Sequence, residues 1–403
     1  MKLRLLLINI IAITLFYYSS TIAKTALAFV AVPIADLVGQ PLQTPKTRAK
    51  KAYQAIPLCG GNINPFVSCQ RMHQLIFNEV VEILDTKNDE VLIKVPHVFY
   101  VTTADKQSKQ QCFWTLKENL FTFNELEKLG LKTDAIPRAI TEQSNQPIIT
   151  LIEPLYDQKT DLMFSVGTRF VYDPSQSNSK QYCALAFDKK HFKFLTLVIP
   201  RKMCIIPAKT QKERIKQCIE LIRSWIHYDS GYIPYVWGGC SFTTTCTQPK
   251  FIERKTWVGS TETSYFEIPG YDYYPKPGFD CSNLILRAAQ CVGLPYYYKN
   301  TVTIEEFVPA LKKDEPIDLG DLILVRGHVM MVSDTKHNML IEARSYPHGY
   351  GKVQEVPLAE VFEGISTYPQ LRQAYLEKRP VQRKDINGNV RETFPYLKIC
   401  RIG

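Results

Sequence analysis

Gly278-Phe279-Asp280-Cys281-Ser282-Asn283 is the stretch around which the chain is organised, with an apolar run over residues 284–292 behind it. Pro275, Pro277 and Gly278 forbid a helix on its N-terminal side, whereas Asp280 or Ser282 is placed to cap the free N–H groups of a first helical turn. Leu284, Ile285, Ala288 and Val292 recur at helical spacing, and Gly293 followed by Pro295 ends the element. A cysteine at such a first turn lies where the helix dipole and unpaired backbone N–H groups favour the thiolate, the nucleophilic form of the side chain. A buried or disulfide-bonded cysteine would present the same local sequence, so the rest of the chain has to decide.

Partners for a nucleophile lie downstream. Leu319-Gly320-Asp321 turns into a strand over residues 322–325; His328-Val329-Met330-Met331-Val332 and residues 339–344 then read as a hairpin around Asp334-Thr335-Lys336-His337-Asn338. If Ser333 pairs with Met339, then Met330 faces Glu342 and His328 faces Arg344, which puts His328 and Glu342 on one face, diagonal to each other. A slip of one residue would send Glu342 to the opposite face. A thiol at a helix start, an imidazole on a strand and a carboxylate on the next strand supply the nucleophile, base and orienting group of covalent catalysis. His328 would draw the proton from Cys281, and Glu342 would hold the imidazole tautomer. The bland alternatives are a histidine hydrogen-bonded among Val and Met, and an edge-strand carboxylate paired with Arg344.

Ahead of the cysteine, Ile215, Cys218, Ile219, Ile222 and Ile226 form one face of an amphipathic helix. Tyr235-Val236-Trp237-Gly238-Gly239 follows, then a long segment over 240–277 carrying Tyr265, Phe266, Tyr271, Tyr273 and Tyr274. Residues 29–210 read as short strands and turns, which suggests two small barrels. The first, over 29–125, contains a polar insertion at about 40–64 and a hairpin joining Glu79-Val80-Val81-Glu82-Ile83-Leu84 to Val91-Leu92-Ile93-Lys94-Val95, and the 113–123 region closes it. The second, over 146–207, has strands at 148–155, 163–172, 182–187 and 192–199.

The N-terminus has the layout of a secretory signal peptide over residues 1–28: Lys2 and Arg4, an apolar run over 5–18, then Thr21-Ile22-Ala23 or Ala26-Leu27-Ala28 as cleavage sequences. The run is short of the roughly 20 apolar residues a membrane span needs, so a periplasmic or secreted location is expected, with no stable span. Eleven cysteines fit export, and Cys59 with Cys69 and Cys240 with Cys246 are close enough for local disulfide loops. No CxxC pair occurs and the histidines are scattered, so neither a zinc site nor any cofactor is expected. A net charge of +10 spread along 403 residues is either a plain basic surface or suits work near polyanions, whether nucleic acid, acidic lipid or an anionic cell wall. No nucleic-acid motif accompanies it.

Taken in order, Tyr235-Val-Trp-Gly-Gly, Phe279-Asp-Cys-Ser, Leu319-Gly-Asp-Leu and Gly327-His-Val resemble the NlpC-type cell-wall cysteine peptidases over about residues 211–370. Val30-Ala-Val-Pro-Ile-Ala-Asp-Leu and Phe77-Asn-Glu-Val-Val-Glu-Ile-Leu are similar to the opening strands of the bacterial SH3-like barrels that precede γ-D-glutamyl-L-diamino-acid endopeptidases. The resemblance implies an α+β chain: a papain-like NlpC-type domain over 211–403 preceded by two all-β SH3-like barrels. It further implies Cys281 as nucleophile, His328 as base, and Glu342 in a third position where the family more often has His, Asn or Gln. Tyr235 would help bind the oxyanion or substrate carbonyl, and Asp280 and Ser282 would hold the free amino group of an N-terminal L-alanine. The implied substrate is the γ-D-glutamyl–diamino acid bond of peptidoglycan stem peptides, taken as short free-amine muropeptides and cleaved through a thioester. Asn283 in place of a small residue and the long 240–277 segment depart from the pattern. An inert wall-binding protein, or an acyltransferase on the same scaffold, is the alternative.

Overall fold

A computed structural model describes residues 26–58, 69–102, 111–229, 231–247, 250–255, 262–268, 271–346 and 350–402, with backbone only for 250–255 and 262–267. The proposed signal sequence up to residue 25 and Cys59 fall outside them. The fold is mixed and mostly sheet. Seven strands form the first sheet, in the spatial order Arg71–Ile76, Ile34–Val38, Cys112–Leu116, Glu90–Lys94, Val80–Lys87, Ala26–Val30 and Leu120–Thr122. A five-stranded sheet follows, in the order Lys193–Pro200, Gln181–Asp188, Arg169–Asp173, Ile148–Leu151 and Cys204–Ile205.

Neither sheet closes into a barrel, contrary to the reading from sequence. The first has two free ends for identifiable reasons. Leu120–Thr122 stops after three residues because Thr122 caps the helix Phe123–Lys128 through a capping box with Glu125. At the other end, Gln74 on Arg71–Ile76 turns to the C-terminal half, where its Oε1 accepts from the Cys240 N–H at 3.0 Å and the Ser241 hydroxyl at 2.7 Å. The two sheets also share one apolar core. Phe29 and Phe121 of the first pack with Phe170 and Phe187 of the second, joined by Phe77 and Phe164 from adjoining segments, and the Phe29 and Phe187 ring centroids are 5.6 Å apart. The expected strand over 148–155 breaks before Pro154, and that over 163–172 breaks at Gly167, which adopts φ +83°.

The C-terminal half packs two helices on an antiparallel sheet. Gln211–Ile226 starts at a Thr210–Glu213 capping box and buries Cys218, Ile219, Leu221, Ile222 and Trp225. Trp225 stacks on Phe279 at 5.4 Å and donates its indole N–H to the Ile152 carbonyl at 2.8 Å, which ties the second sheet to this half. The other helix, Cys281–Cys291, is buried along its whole length. The sheet runs Lys352–Pro357, Met339–Arg344, His328–Asp334, Leu322–Val325 and Lys398–Cys400. Its other face packs on the helix Tyr368–Leu376 through Leu371 and Ala374. Among the described residues no helix is long and apolar enough to cross a membrane.

The ten described cysteines are all free thiols, so the local loop expected between Cys240 and Cys246 is not made. The Cys240 sulfur instead lies 3.7 Å from the Asn283 carbonyl, and the Cys246 sulfur lies 3.2 Å from the Tyr232 carbonyl.

One glycine fixes how the Cys281 segment enters its helix. Gly278 has φ +147°, and a Cβ there would meet Val236 Cγ2 at 2.4 Å and the Pro234 carbonyl oxygen at 2.5 Å. The carbonyl cannot move without the Pro234–Tyr235 backbone moving with it. Gly278→Ala is therefore expected to destabilise the fold by about 1–3 kcal/mol in a denaturant titration; an unchanged midpoint would show that this contact relaxes freely.

Candidate functional site

Cys281 is the first residue of its helix, and Asp280 is the N-cap. Asp280 Oδ1 accepts from the Asn283 N–H at 2.7 Å and from the Ser282 hydroxyl at 2.9 Å; Oδ2 accepts from Asn283 Nδ2 at 3.0 Å and faces Lys299 Nζ at 3.4 Å. A carboxylate has about four acceptor positions. Those of Asp280 are all engaged from within the chain. The single Ser282 hydroxyl proton is shared between Asp280 Oδ1 and the Lys299 carbonyl.

The helix dipole and the unpaired N–H groups of the first turn were expected to favour a thiolate. The environment reverses this. Cys281 is only 8% exposed, and burial followed by the neighbouring Asp280 charge pushes its thiol up to about 12. The Val329 backbone N–H donates to the sulfur and opposes that rise in part. This contact also places the sulfur against the residue next to His328.

His328 opens the strand His328–Asp334 immediately after the two-residue turn Arg326-Gly327, where Gly327 supplies φ +75° and Val325 pairs with His328. The hairpin has the register expected by parity. Met331 pairs with Ile341 and Val332 with Leu340, but a bulge before Asp334 gives Met339 that residue as its partner in place of Ser333. Because the bulge lies on the loop side, the diagonal between His328 and Glu342 survives. His328 Nε2 is 2.8 Å from Glu342 Oε2.

Glu342 is not an edge-strand carboxylate. It is 1% exposed in a central strand, with Gln354 Nε2 donating to Oε1 at 2.9 Å and Arg383 Nη2 donating to Oε2 at 2.8 Å. Arg344 Nη1 stands 3.6 Å from Oε1, so the pairing with Arg344 expected as an alternative coexists with the His328 contact. Burial pushes the Glu342 carboxyl up, but Arg383, the His328 hydrogen bond and Arg344 outweigh it and hold the group well below the usual carboxylate range. An ionised carboxylate only accepts hydrogen bonds, so His328 Nε2 carries the proton and Nδ1 keeps a lone pair. Burial, then the Arg383 charge, holds the imidazole down at about 4. At neutral pH the site therefore combines a neutral thiol, a neutral imidazole with one basic nitrogen, and a fixed carboxylate. This arrangement suits general-base activation of the sulfur at the moment of attack.

Tyr235 belongs to the same apolar cluster as Cys281, and its backbone bridges to Phe279. Its ring meets Tyr346 edge-on at 6.2 Å, and the Tyr346 hydroxyl donates to its carbonyl at 2.9 Å. The structure thus gathers Tyr235, Asp280, Cys281, Ser282, His328 and Glu342 in one region. Reading the sequence missed Gln354, Lys299 and Arg383. Gln354 is the direct cross-strand partner of Glu342, and it shares the parity of Val356 on its strand, which could have pointed to it. Arg383 lies 41 positions beyond Glu342 on another sheet and leaves no local signal.

No protein-family model matches the sequence, and no curated protein matches it. Among solved structures, an NlpC/P60 family protein from Bacillus cereus superposes with a TM-score of 0.51 at 15% identity, covering 83% of this chain and 94% of that one. NlpC1 and NlpC2 of Trichomonas vaginalis align at 10% identity with TM-scores of 0.31, covering 84% and 83% of this chain and 90% and 93% of theirs, too distant to add weight. The chain has an NlpC-type fold.

Proposed function

We propose that this chain is an exported cysteine peptidase that hydrolyses the γ-D-glutamyl–diamino acid bond of peptidoglycan stem peptides. The observation that carries this reading is the hydrogen-bonded His328–Glu342 pair on the strand whose Val329 N–H contacts the Cys281 sulfur. In the proposed reaction Nδ1 of His328 takes the thiol proton as sulfur attacks the γ-carbonyl. The tetrahedral intermediate expels the diamino acid amine with that proton and leaves a thioester, and water activated by the same nitrogen then releases the free γ-carboxylate. Tyr235 is assigned to the substrate carbonyl.

Asp280 and Ser282 are assigned to the free amine of the L-alanine. Since Lys299 is the longest contact on Asp280, an arriving ammonium would share or take its place. The two strand-rich N-terminal sheets stand where SH3-like modules would, and the export signal would end before Ala26, since Ala28 is already buried in the first strand.

Mass spectrometry of the products from L-Ala-γ-D-Glu-diaminopimelate tests the reading: L-Ala-γ-D-Glu and the free diamino acid are expected, and an uncleaved tripeptide would refute it. Because His328 acts as a base only when neutral, activity should persist into acid and fall as pH drops through about 4. A kcat/KM profile that instead fails near the ordinary histidine value of about 6.5 would contradict the neutral-imidazole assignment. The burial of Cys281 favours a second reading, a catalytically inert wall-binding protein. An acyltransferase would be distinguished by capture of the acyl group by an added amine in preference to water.

A further inference from the structure

The carboxylate beside His328 is held by a residue from outside its own sheet. Arg383 lies on Val381–Lys384, which pairs with Val390–Phe394 as a separate two-stranded sheet. This hairpin is fixed to the site region at two points: Arg383 bridges to Phe362, and the Arg344 guanidinium donates to the Lys384 carbonyl. The Arg383 side chain is almost completely buried, and its Nη2 meets the same Glu342 oxygen that accepts from His328 Nε2.

We propose that Arg383 is a positioning residue of the candidate catalytic centre, clamping Glu342 against His328 and, as a second positive charge, keeping the imidazole unprotonated and able to accept a proton. The proposal rests on the peptidase reading above. The charged and titratable groups around His328 come from every neighbouring element. Cys281 and Asp280 lie on the helix side with Lys299 behind them; Glu342 and Arg344 lie on the adjoining strand; Tyr350 lies beneath the Arg344 guanidinium; Arg383 comes from the hairpin, with Asp385 acting on Arg344. One buried carboxylate thus faces two arginines, and a proton on His328 would add a third positive charge to a site with little access to water. A hairpin that only braced the fold would not need a guanidinium on the oxygen that already receives the imidazole.

The test is the pH dependence of Cys281 alkylation by iodoacetamide in the full-length protein, read by peptide mass spectrometry, which needs no substrate. Arg383→Gln keeps a donor and removes the charge. It is expected to move the acid inflection of the alkylation rate up by about 1–3 pH units, while Arg383→Lys leaves the inflection in place. A rate lowered by one factor at every pH in Arg383→Gln, or a wild-type profile with no acid inflection, would overturn the proposal. If Arg383→Gln does not melt cooperatively, Arg383→Lys decides alone: an unmoved inflection supports the clamp and an upward move refutes it. Failure of the protein to cleave any muropeptide would remove the peptidase reading while leaving this titration interpretable.

Discussion

Cys281→Ala is expected to lower release of L-Ala-γ-D-Glu from a defined muropeptide by at least about 10⁴-fold, to the limit of detection. Without the sulfur no thioester forms, and neither His328 nor Glu342 lies on an alternative route to the product. The substitution is small and the site lies in a packed cluster, so the fold should survive it. His328→Ala should produce a loss of similar size, because the neutral thiol it leaves behind has burial holding its proton in place. The exposed Cys112, on the first sheet, provides the control: Cys112→Ala should retain full activity. Undiminished release by Cys281→Ala would remove the nucleophile from the account.

Glu342→Ala is expected to destabilise the protein by about 3–5 kcal/mol as well as to impair activity. The carboxylate is the common partner of His328, Arg383, Arg344 and Gln354, all held away from water. Truncation leaves two buried guanidinium groups without their counter-charge. Arg383 Nε and Arg344 Nε and Nη1 have no hydrogen-bond partner even with Glu342 in place, so the network has little spare capacity to absorb the loss. Glu342→Gln should retain more stability, because an amide oxygen can still accept from His328, yet it loses the charge that Arg383 balances. Chemical denaturation monitored by tryptophan fluorescence, which Trp225 at the base of the site reports, checks the ordering wild type, Gln, Ala. An alanine variant within 1 kcal/mol of wild type, at roughly the resolution of the extrapolation, would show that the arginines are solvated and the cluster is not sealed.

Much of the candidate site's geometry is legible in the sequence because its parts are governed by local rules. Pro275, Pro277 and Gly278 end one conformation and Asp280 starts another, and both effects act over a few residues. The period of two along a strand carried His328 and Glu342 to one face, and the bulge at Asp334 fell on the loop side, where it could not disturb that relation. What stayed hidden depends on long-range packing. Open sheets in place of barrels follow from a core shared between Phe29 and Phe187, and strand spacing does not encode that. The free thiols of Cys240 and Cys246 follow from separate carbonyl contacts. The raised Cys281 thiol follows from burial, which here outweighs the helix start that a local reading emphasises. Arg383 and Lys299 reach the site from segments with no motif of their own.

Acid quenching of the protein during incubation with the muropeptide, followed by peptide mapping, shows whether the acyl group passes through the sulfur. A mass increment equal to the L-Ala-γ-D-Glu acyl group on the peptide containing Cys281, absent from the His328→Ala variant, is the predicted result. Turnover with Cys281 unmodified at every quench time, or the increment on a different residue, would contradict it.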